Sequence, residues 1–274
     1  MRRFHFISGL PRSGSTLLSA ILLQNPRFHA GMSSPVGMLF NGVLENCSAG
    51  SEFGAMIDTD TRRRLLRGLF ESYYGDKTSQ PVIFDTNRQW SARLPALQDL
   101  FPRSKVIVCV RNVAWVMDSL ANPFENTKLF NDDVERNTVY SRCETLAQRN
   151  RLVGYAWTAL KEAYYYGEHA ESLLLVDYDL LSQAPERVLR LVYEFVDEPW
   201  FEHDFDNLAY DAPAFDQALG VAGLHKVKPK VALESRHTIL PPDLFEKYAQ
   251  LSFWNDGTAS AANVIRMKTN TAVS

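Results

Sequence analysis

Nine residues near the start of the chain, Ser8-Gly9-Leu10-Pro11-Arg12-Ser13-Gly14-Ser15-Thr16, combine two glycines, an arginine and hydroxyl side chains. They follow the apolar run Phe4-His5-Phe6-Ile7 and precede the apolar run Leu17 to Leu23, an order that predicts strand, loop and helix. A glycine-containing loop in that position aims backbone N–H groups at an anion, and the helix N-terminus adds partial positive charge. The spacing Gly9-x4-Gly14 followed by Ser15-Thr16 is that of a nucleotide-phosphate loop with one change. Ser15 stands where a triphosphate loop has its lysine, and the cation sits three residues earlier, at Arg12. The loop suits a phosphate-like group better than the β- and γ-phosphates of ATP with magnesium. An ordinary strand-to-helix turn would not need this set of residues together.

A second arginine, Arg111, ends the apolar run Val106 to Val110, at a strand tip beside a helix start. An arginine there can fork onto a second phosphate or form a strand-end ion pair. Ser119 lies eight residues on, roughly 12 Å along a helix, so spacing alone does not pair the two. Asp85 closes the run Val82-Ile83-Phe84, with Arg88 three residues later. Asp85 is the candidate general base for an acceptor, with Arg88 holding it ionised; a helix cap or a plain ion pair is the alternative. His29 and His225 are the other candidate bases. The stretch 223–230, Gly-Leu-His-Lys-Val-Lys-Pro-Lys, could close over an anion through Lys226. Residues 202–216 hold five acidic side chains and read as a solvated loop.

These positions need a scaffold that brings strand ends together. Strands are predicted at 4–8, 81–85, 105–110 and 173–176. Helices are predicted near 15–24, 61–74, 94–101, 114–120 and 185–196, with one long helical region from about 139 to 168. Short continuous apolar strands separated by helices imply an α/β fold, a central parallel sheet flanked by helices in three layers. Ligands then bind at the carboxyl ends of the strands, in the segments 9–16, 85–90, 111–119 and 177–181. The chain of 274 residues suits a single domain, 1–258, followed by a frayed tail, 259–274.

Composition narrows the function classes. Apolar residues make up 46% and charged residues 22%, values of an ordinary globular protein. A net charge of −3 argues against a general nucleic-acid binder, so any polyanion must be held by local cations. Cys47, Cys109 and Cys143 are widely spaced and odd in number, and the six histidines show no ligand spacing. Neither a disulfide framework nor a metal site is expected, and a reducing, cytoplasmic setting fits. No targeting segment or membrane span is visible in the sequence.

Pro11 to Thr16 resembles the 5′-phosphosulfate loop of sulfotransferases that use 3′-phosphoadenylyl sulfate (PAPS). Arg111 and Ser119 resemble that family's 3′-phosphate motif. Leu17 to Pro26 is similar to its first helix, and Phe101-Pro102 with Lys105-Val106-Ile107 to the lead-in to the second motif. Val176-Asp177-Tyr178-Asp179-Leu180-Leu181 is similar to its Tyr-Glu-x-Leu segment, which implies that Tyr178 lies near the nucleotide. The resemblance runs in order over most of residues 4–200. It implies a P-loop NTPase-like topology, PAPS as donor, and no metal, since no triphosphate needs bridging. Arg12, Ser13, Gly14, Ser15 and Thr16 would hold the 5′-phosphosulfate, and Arg111 and Ser119 the 3′-phosphate. The acceptor would be a small-molecule or peptide hydroxyl or amine.

The resemblance stops at the acceptor. The histidine of cytosolic members is absent from Asp85-Thr86-Asn87. The catalytic glutamate of protein-tyrosine members is replaced by Ser33, and their lysine by Thr86, whose charge Arg88 could supply. Two other readings stay open: a P-loop kinase for a small metabolite, and a catalytically silent nucleotide-binding module.

Overall fold

The computed structural model describes residues 2–48, 50–52, 54–122, 133–165, 167–219, 223, 225–256 and 260–266. Six strands form one sheet in the order β2-β3-β1-β4-β5-β6, and every neighbouring pair is parallel. They are β1 (Arg3–Gly9), β2 (Phe28–His29), β3 (Val82–Thr86), β4 (Val106–Val110), β5 (Leu173–Asp177) and β6 (Asn263–Val264). All five residues of β3 and of β4 are buried, because helices cover both faces.

The helices among the described residues are α1 (Ser15–Leu22), α2 (Val36–Asn46), α3 (Thr59–Gly75), α4 (Leu94–Leu100), α5 (Val113–Ala121) and α6 (Asp133–Asn137). They continue with α7 (Val139–Ala147), α8 (Leu152–Tyr165), α9 (Tyr178–Gln183), α10 (Pro185–Val196), α11 (Pro213–Leu219) and α12 (Pro242–Ala249). One face of the sheet carries α1, α9 and α10, through Leu18, Leu181 and Leu189. The other carries α3, α4, α5 and α8, through Phe70, Leu97, Val116 and Leu160. On that second face Phe6, Phe40, Phe70 and Trp90 pack edge to face or tilted, with ring centroids 5.3–6.1 Å apart. The cluster pins Trp90, and with it the turn after β3.

The three-layer architecture expected from the alternating pattern is present. The region expected as one helix from 139 to 168 is two helices, and residue 166 lies outside the described residues. Gln148 leaves α7 with ψ 142, in extended backbone, and the chain re-enters a helix at Leu152. The segment expected to fray contributes β6, which pairs with Leu174 and Leu175 at the sheet edge; residues 259 and 267–274 of that segment lie outside the described residues. The five acidic residues of 202–216 are not all solvated either, since Asp216 is fully buried.

Candidate functional site

The loop between β1 and α1 turns on three left-handed residues: Gly9 at φ 134, Arg12 at φ 59 and Gly14 at φ 93. At Gly9 an added Cβ would sit 2.0 Å from the Cys109 carbonyl oxygen, so the close approach of the loop to β4 requires glycine. Arg12 holds the same region with a side chain, a strain of the kind that loops keep at ligand sites. Gly14 occupies the N-cap of α1 and supplies no side-chain cap, which leaves the first-turn N–H groups open to an anion. Ser15 and Thr16, in that turn, are half-buried and make no side-chain hydrogen bond among the described residues. Ser13 departs from expectation. Its hydroxyl is buried and donates to the carbonyls of Leu10 and, at 2.7 Å, Cys109, so it braces the loop from behind. Only its backbone N–H remains for a ligand.

A second cationic site lies next to this loop. Arg111 leaves β4, and Asn112 caps α5 by accepting from the Ala114 N–H at 2.9 Å. The Arg111 side chain is only 12% exposed. Its guanidinium lies 4.3 Å from the centroid of the Tyr178 ring, and its Nε is 3.8 Å from Asp179. That Nε is buried without a hydrogen-bond partner. Burial, then the nearby charge of Arg236, lowers the Arg111 pKa from its ordinary value. Arg236 reaches the site from the C-terminal third. It donates to the Trp115 carbonyl at 2.9 Å and pairs with Asp118 at 3.1 Å. Two guanidinium groups close enough to repel one another favour a ligand carrying more than one negative charge.

The two sites are joined. Arg12 Nε donates to Ser119 Oγ at 3.2 Å. A Cβ on Gly14 would lie 2.7 Å from the Tyr178 ring, so the same ring touches the loop on one side and Arg111 on the other. Sequence reasoning kept Arg12 and Ser119 apart and missed Arg236, which has no motif around it. Lys226 is exposed, and no described contact carries it to Arg111; the neighbouring Lys228 and Lys230 pair with Glu234 and Asp206.

Beyond β3 the structure separates Asp85 from Arg88. The Asp85 carboxylate is fully buried and accepts from Ser34 Oγ at 2.6 Å, Tyr74 OH at 2.6 Å and Trp90 Nε1 at 2.8 Å. Burial raises its pKa, and the three donors offset only part of that. No ion pair with Arg88 exists among the described residues, because Asp85 faces α3 and the aromatic cluster. Arg88 instead is exposed and lines a cavity of about 350 Å³ with Ser33, Asn87, Gln89 and Asn150. His29 packs edge-on against Tyr74 with centroids 5.3 Å apart, and burial followed by Lys77 lowers its pKa. Its ring is a wall of the core. His225 hydrogen-bonds Asp216 through Nδ1 at 2.5 Å. No group of three or more His, Cys, Asp or Glu among the described residues is arranged to hold a metal ion. No helix among them is long and apolar enough to cross a membrane.

A glycine loop at the carboxyl end of β1, a buried arginine at the end of β4 and an all-parallel sheet define an α/β protein of the P-loop-like class without the loop lysine. The model of the sulfotransferase family matches residues 5–202, well over half of the chain, and the chain belongs to that family. It is 25% identical over 201 residues to protein-tyrosine sulfotransferase 1 of Danio rerio, covering 71% of this chain and 53% of that protein. It is 23% identical over 215 residues to protein-tyrosine sulfotransferase A of Caenorhabditis elegans, covering 72% and 50%. The chain thus spans about half the length of these two relatives. The sulfotransferase domain of the Synechococcus PCC 7002 olefin synthase has a similar fold, with TM-score 0.52 and 16% identity over 91% of this chain and 94% of that one. The sheet and its flanking helices are those of the P-loop NTPase-like fold.

Proposed function

We propose that this chain transfers a sulfuryl group from PAPS to a hydroxyl or amine of a small-molecule or peptide acceptor, leaving adenosine 3′,5′-bisphosphate. The observation that carries this reading is the buried Nε of Arg111, without a hydrogen-bond partner, near the charge of a second guanidinium, Arg236, and one strand away from a glycine loop without lysine. A ribose 3′-phosphate supplies the dianion that such a pair needs. ATP and ADP have no group for that position.

In this reading the first-turn N–H groups of α1, with Ser15 and Thr16, hold the 5′-phosphosulfate. Arg111, Arg236 and Ser119 hold the 3′-phosphate. Arg12, tied to Ser119, spans the two charged ends and stabilises charge as the sulfur–oxygen bond to the 5′-phosphate breaks. By analogy with phosphoryl transfer the transition state is loose, so positioning and charge stabilisation carry most of the rate. Tyr178 is the platform between the sites. Arg88 faces the cavity where an acceptor would lie. Asp85 is a positioning residue: through Ser34, Tyr74 and Trp90 it fixes the segments that frame that cavity.

The protein-tyrosine relatives put peptide tyrosine among the acceptors to try. The three cysteines are buried and free, which supports a reducing, cytoplasmic setting. The test is sulfate transfer from labelled PAPS to a panel of phenols, alcohols, amines and tyrosine peptides, with and without EDTA. Transfer that survives EDTA is expected. Loss on chelation with rescue by magnesium would favour the kinase reading. Bisphosphate binding with no transfer to any acceptor would favour the silent module.

A further inference from the structure

The stretches 204–210 and 227–231 climb the molecule from the amino end of the strands toward their carboxyl end. At their foot Gln24, just past the C-terminal end of α1, exchanges hydrogen bonds with the Asp204 backbone at 2.7 and 2.9 Å. The two stretches run side by side, joined from Val231 N to Phe205 O at 2.8 Å, Leu208 N to Pro229 O at 2.7 Å and Val227 N to Tyr210 O at 3.1 Å. Leu208 and Val231 are buried in the core on the α1 face. At the top the Tyr210 hydroxyl accepts from the Met32 N–H at 2.7 Å, just past the carboxyl end of β2. Tyr210 therefore stands at the carboxyl edge of the sheet, beside the segment that carries Ser33 to the Arg88 cavity, and His225 lies two residues from Val227, the partner of Tyr210.

On α11 Asp216 is completely buried, and both of its carboxylate oxygens engage His225. Oδ2 accepts from the His225 backbone N–H at 2.9 Å, and Oδ1 lies 2.5 Å from His225 Nδ1. The Phe215 ring stands edge-on to the imidazole with centroids 5.3 Å apart. The imidazole is thus held on two sides, yet its side chain keeps 18% of its surface exposed. Nε2 has no hydrogen-bond partner among the described residues. A carboxylate on Nδ1 keeps the proton there, which leaves the lone pair on Nε2. The other candidates are otherwise engaged: the Asp85 oxygens are filled by three donors, and His29 packs against Tyr74.

We propose that His225 is the catalytic base for the acceptor and that Asp216 is its positioning residue. The proposal rests on the sulfuryl-transfer reading above and assigns its missing partner. The acceptor O–H or N–H gives its proton to His225 Nε2 while its lone pair forms the new bond to sulfur. The bond from sulfur to the 5′-phosphate oxygen breaks, and the bisphosphate leaves with that electron pair. Asp216 accepts the Nδ1–H bond throughout and stabilises the imidazolium.

Two measurements keep this proposal separable from the donor reading. Calorimetry with adenosine 3′,5′-bisphosphate reads the donor site alone; PAPS consumption with water, phenol and 4-nitrophenol as acceptors reads the base. His225→Gln should bind the bisphosphate within about twofold of wild type and lose roughly 10²–10⁴ in transfer to phenol. The loss should be smaller for 4-nitrophenol, a more acidic acceptor that needs less help. Imidazole in solution should restore part of the rate to His225→Gly. Asp216→Asn should lower kcat with little change in KM, and Asp216→Glu should recover part of it. The proposal is overturned if His225→Gln transfers at the wild-type rate, or if phenol and 4-nitrophenol lose equally with no rescue by imidazole. It is equally overturned if bisphosphate binding falls in parallel with the rate, or if the wild type consumes no PAPS with any of the three acceptors. A wild type that fails to bind the bisphosphate sinks the donor reading first.

Discussion

Around the glycine loop each converging side chain but one comes from the first turns after a strand: Arg12 after β1, Arg111 and Ser119 after β4, Tyr178 after β5. Around the Arg88 cavity the walls come from connections with no such rule: Ser33 between β2 and α2, Asn87 and Arg88 after β3, and Asn150 between α7 and α8. The first region is held by backbone geometry, which one parallel sheet fixes for all its strand ends at once. The second is held by pairwise contacts between distant segments, such as Ser34 with Asp85 and Tyr210 with Met32. A fold that keeps its donor end constant can vary its acceptor end freely under that arrangement.

The sharpest way to break this contrast is at Arg12. Arg12→Ala should lower turnover roughly 10²–10³-fold, the usual loss when one donor to developing charge is removed. Because Arg12 Nε also holds Ser119, the variant should weaken bisphosphate binding as well. Turnover loss with untouched binding would restore the view that Arg12 serves only the transferring end. Rates are read by steady-state transfer and binding by calorimetry.

Asp85 probes the other region. Asp85→Ala leaves three buried or half-buried donors without an acceptor, and a loss of about 3 kcal/mol in folding stability is expected in denaturant titration. The donor site of the protein that remains folded should bind the bisphosphate normally. A group whose folded pKa is raised contributes stability at acid pH and loses it as pH rises through that raised value. Relative to Asp85→Asn, the wild type should therefore lose stability as pH is raised from about 4 upward. A widening advantage for the wild type over that range would mean that the three donors outweigh burial.

These two tests also mark what could be read in the sequence. Strand ends and the loop were legible because local signals coincide there: short apolar runs, glycines at fixed spacing, Pro185 at a helix start. Arg111 follows from its place after a strand, and Tyr178 from the resemblance of Val176 to Leu181 to the family's tyrosine segment. The contact of Arg12 with Ser119 was not legible, because it crosses 107 positions and depends on how two loops lie side by side. Arg236 was hidden for the same reason, as one arginine in a segment with no periodicity. Asp85 was placed correctly on β3 but misjudged in direction. Its partners Ser34, Tyr74 and Trp90 come from three other segments, and only the packed aromatic cluster shows that the carboxylate turns inward. The shift of the acidic stretch 202–216 from solvated loop to a buried Asp216 has the same origin: its partner His225 lies beyond a helix and a turn.

A smaller effect separates two cations. Arg236→Ala should weaken bisphosphate binding about tenfold or more, as loss of a charge-assisted contact does. Lys226→Ala, at an exposed side chain, should change it less than about twofold, within ordinary surface effects. Equal losses in the two would mean that the basic stretch 223–230 closes on the nucleotide after all.

The most direct measurement is calorimetric titration of the wild-type protein with adenosine 3′,5′-bisphosphate, ADP and ATP in the presence of EDTA. A 3′-phosphate held by Arg111 and Arg236 should make the bisphosphate at least about tenfold tighter than either of the others, given roughly 1.5–3 kcal/mol per charged contact. ATP binding more tightly than the bisphosphate would contradict the account at its centre.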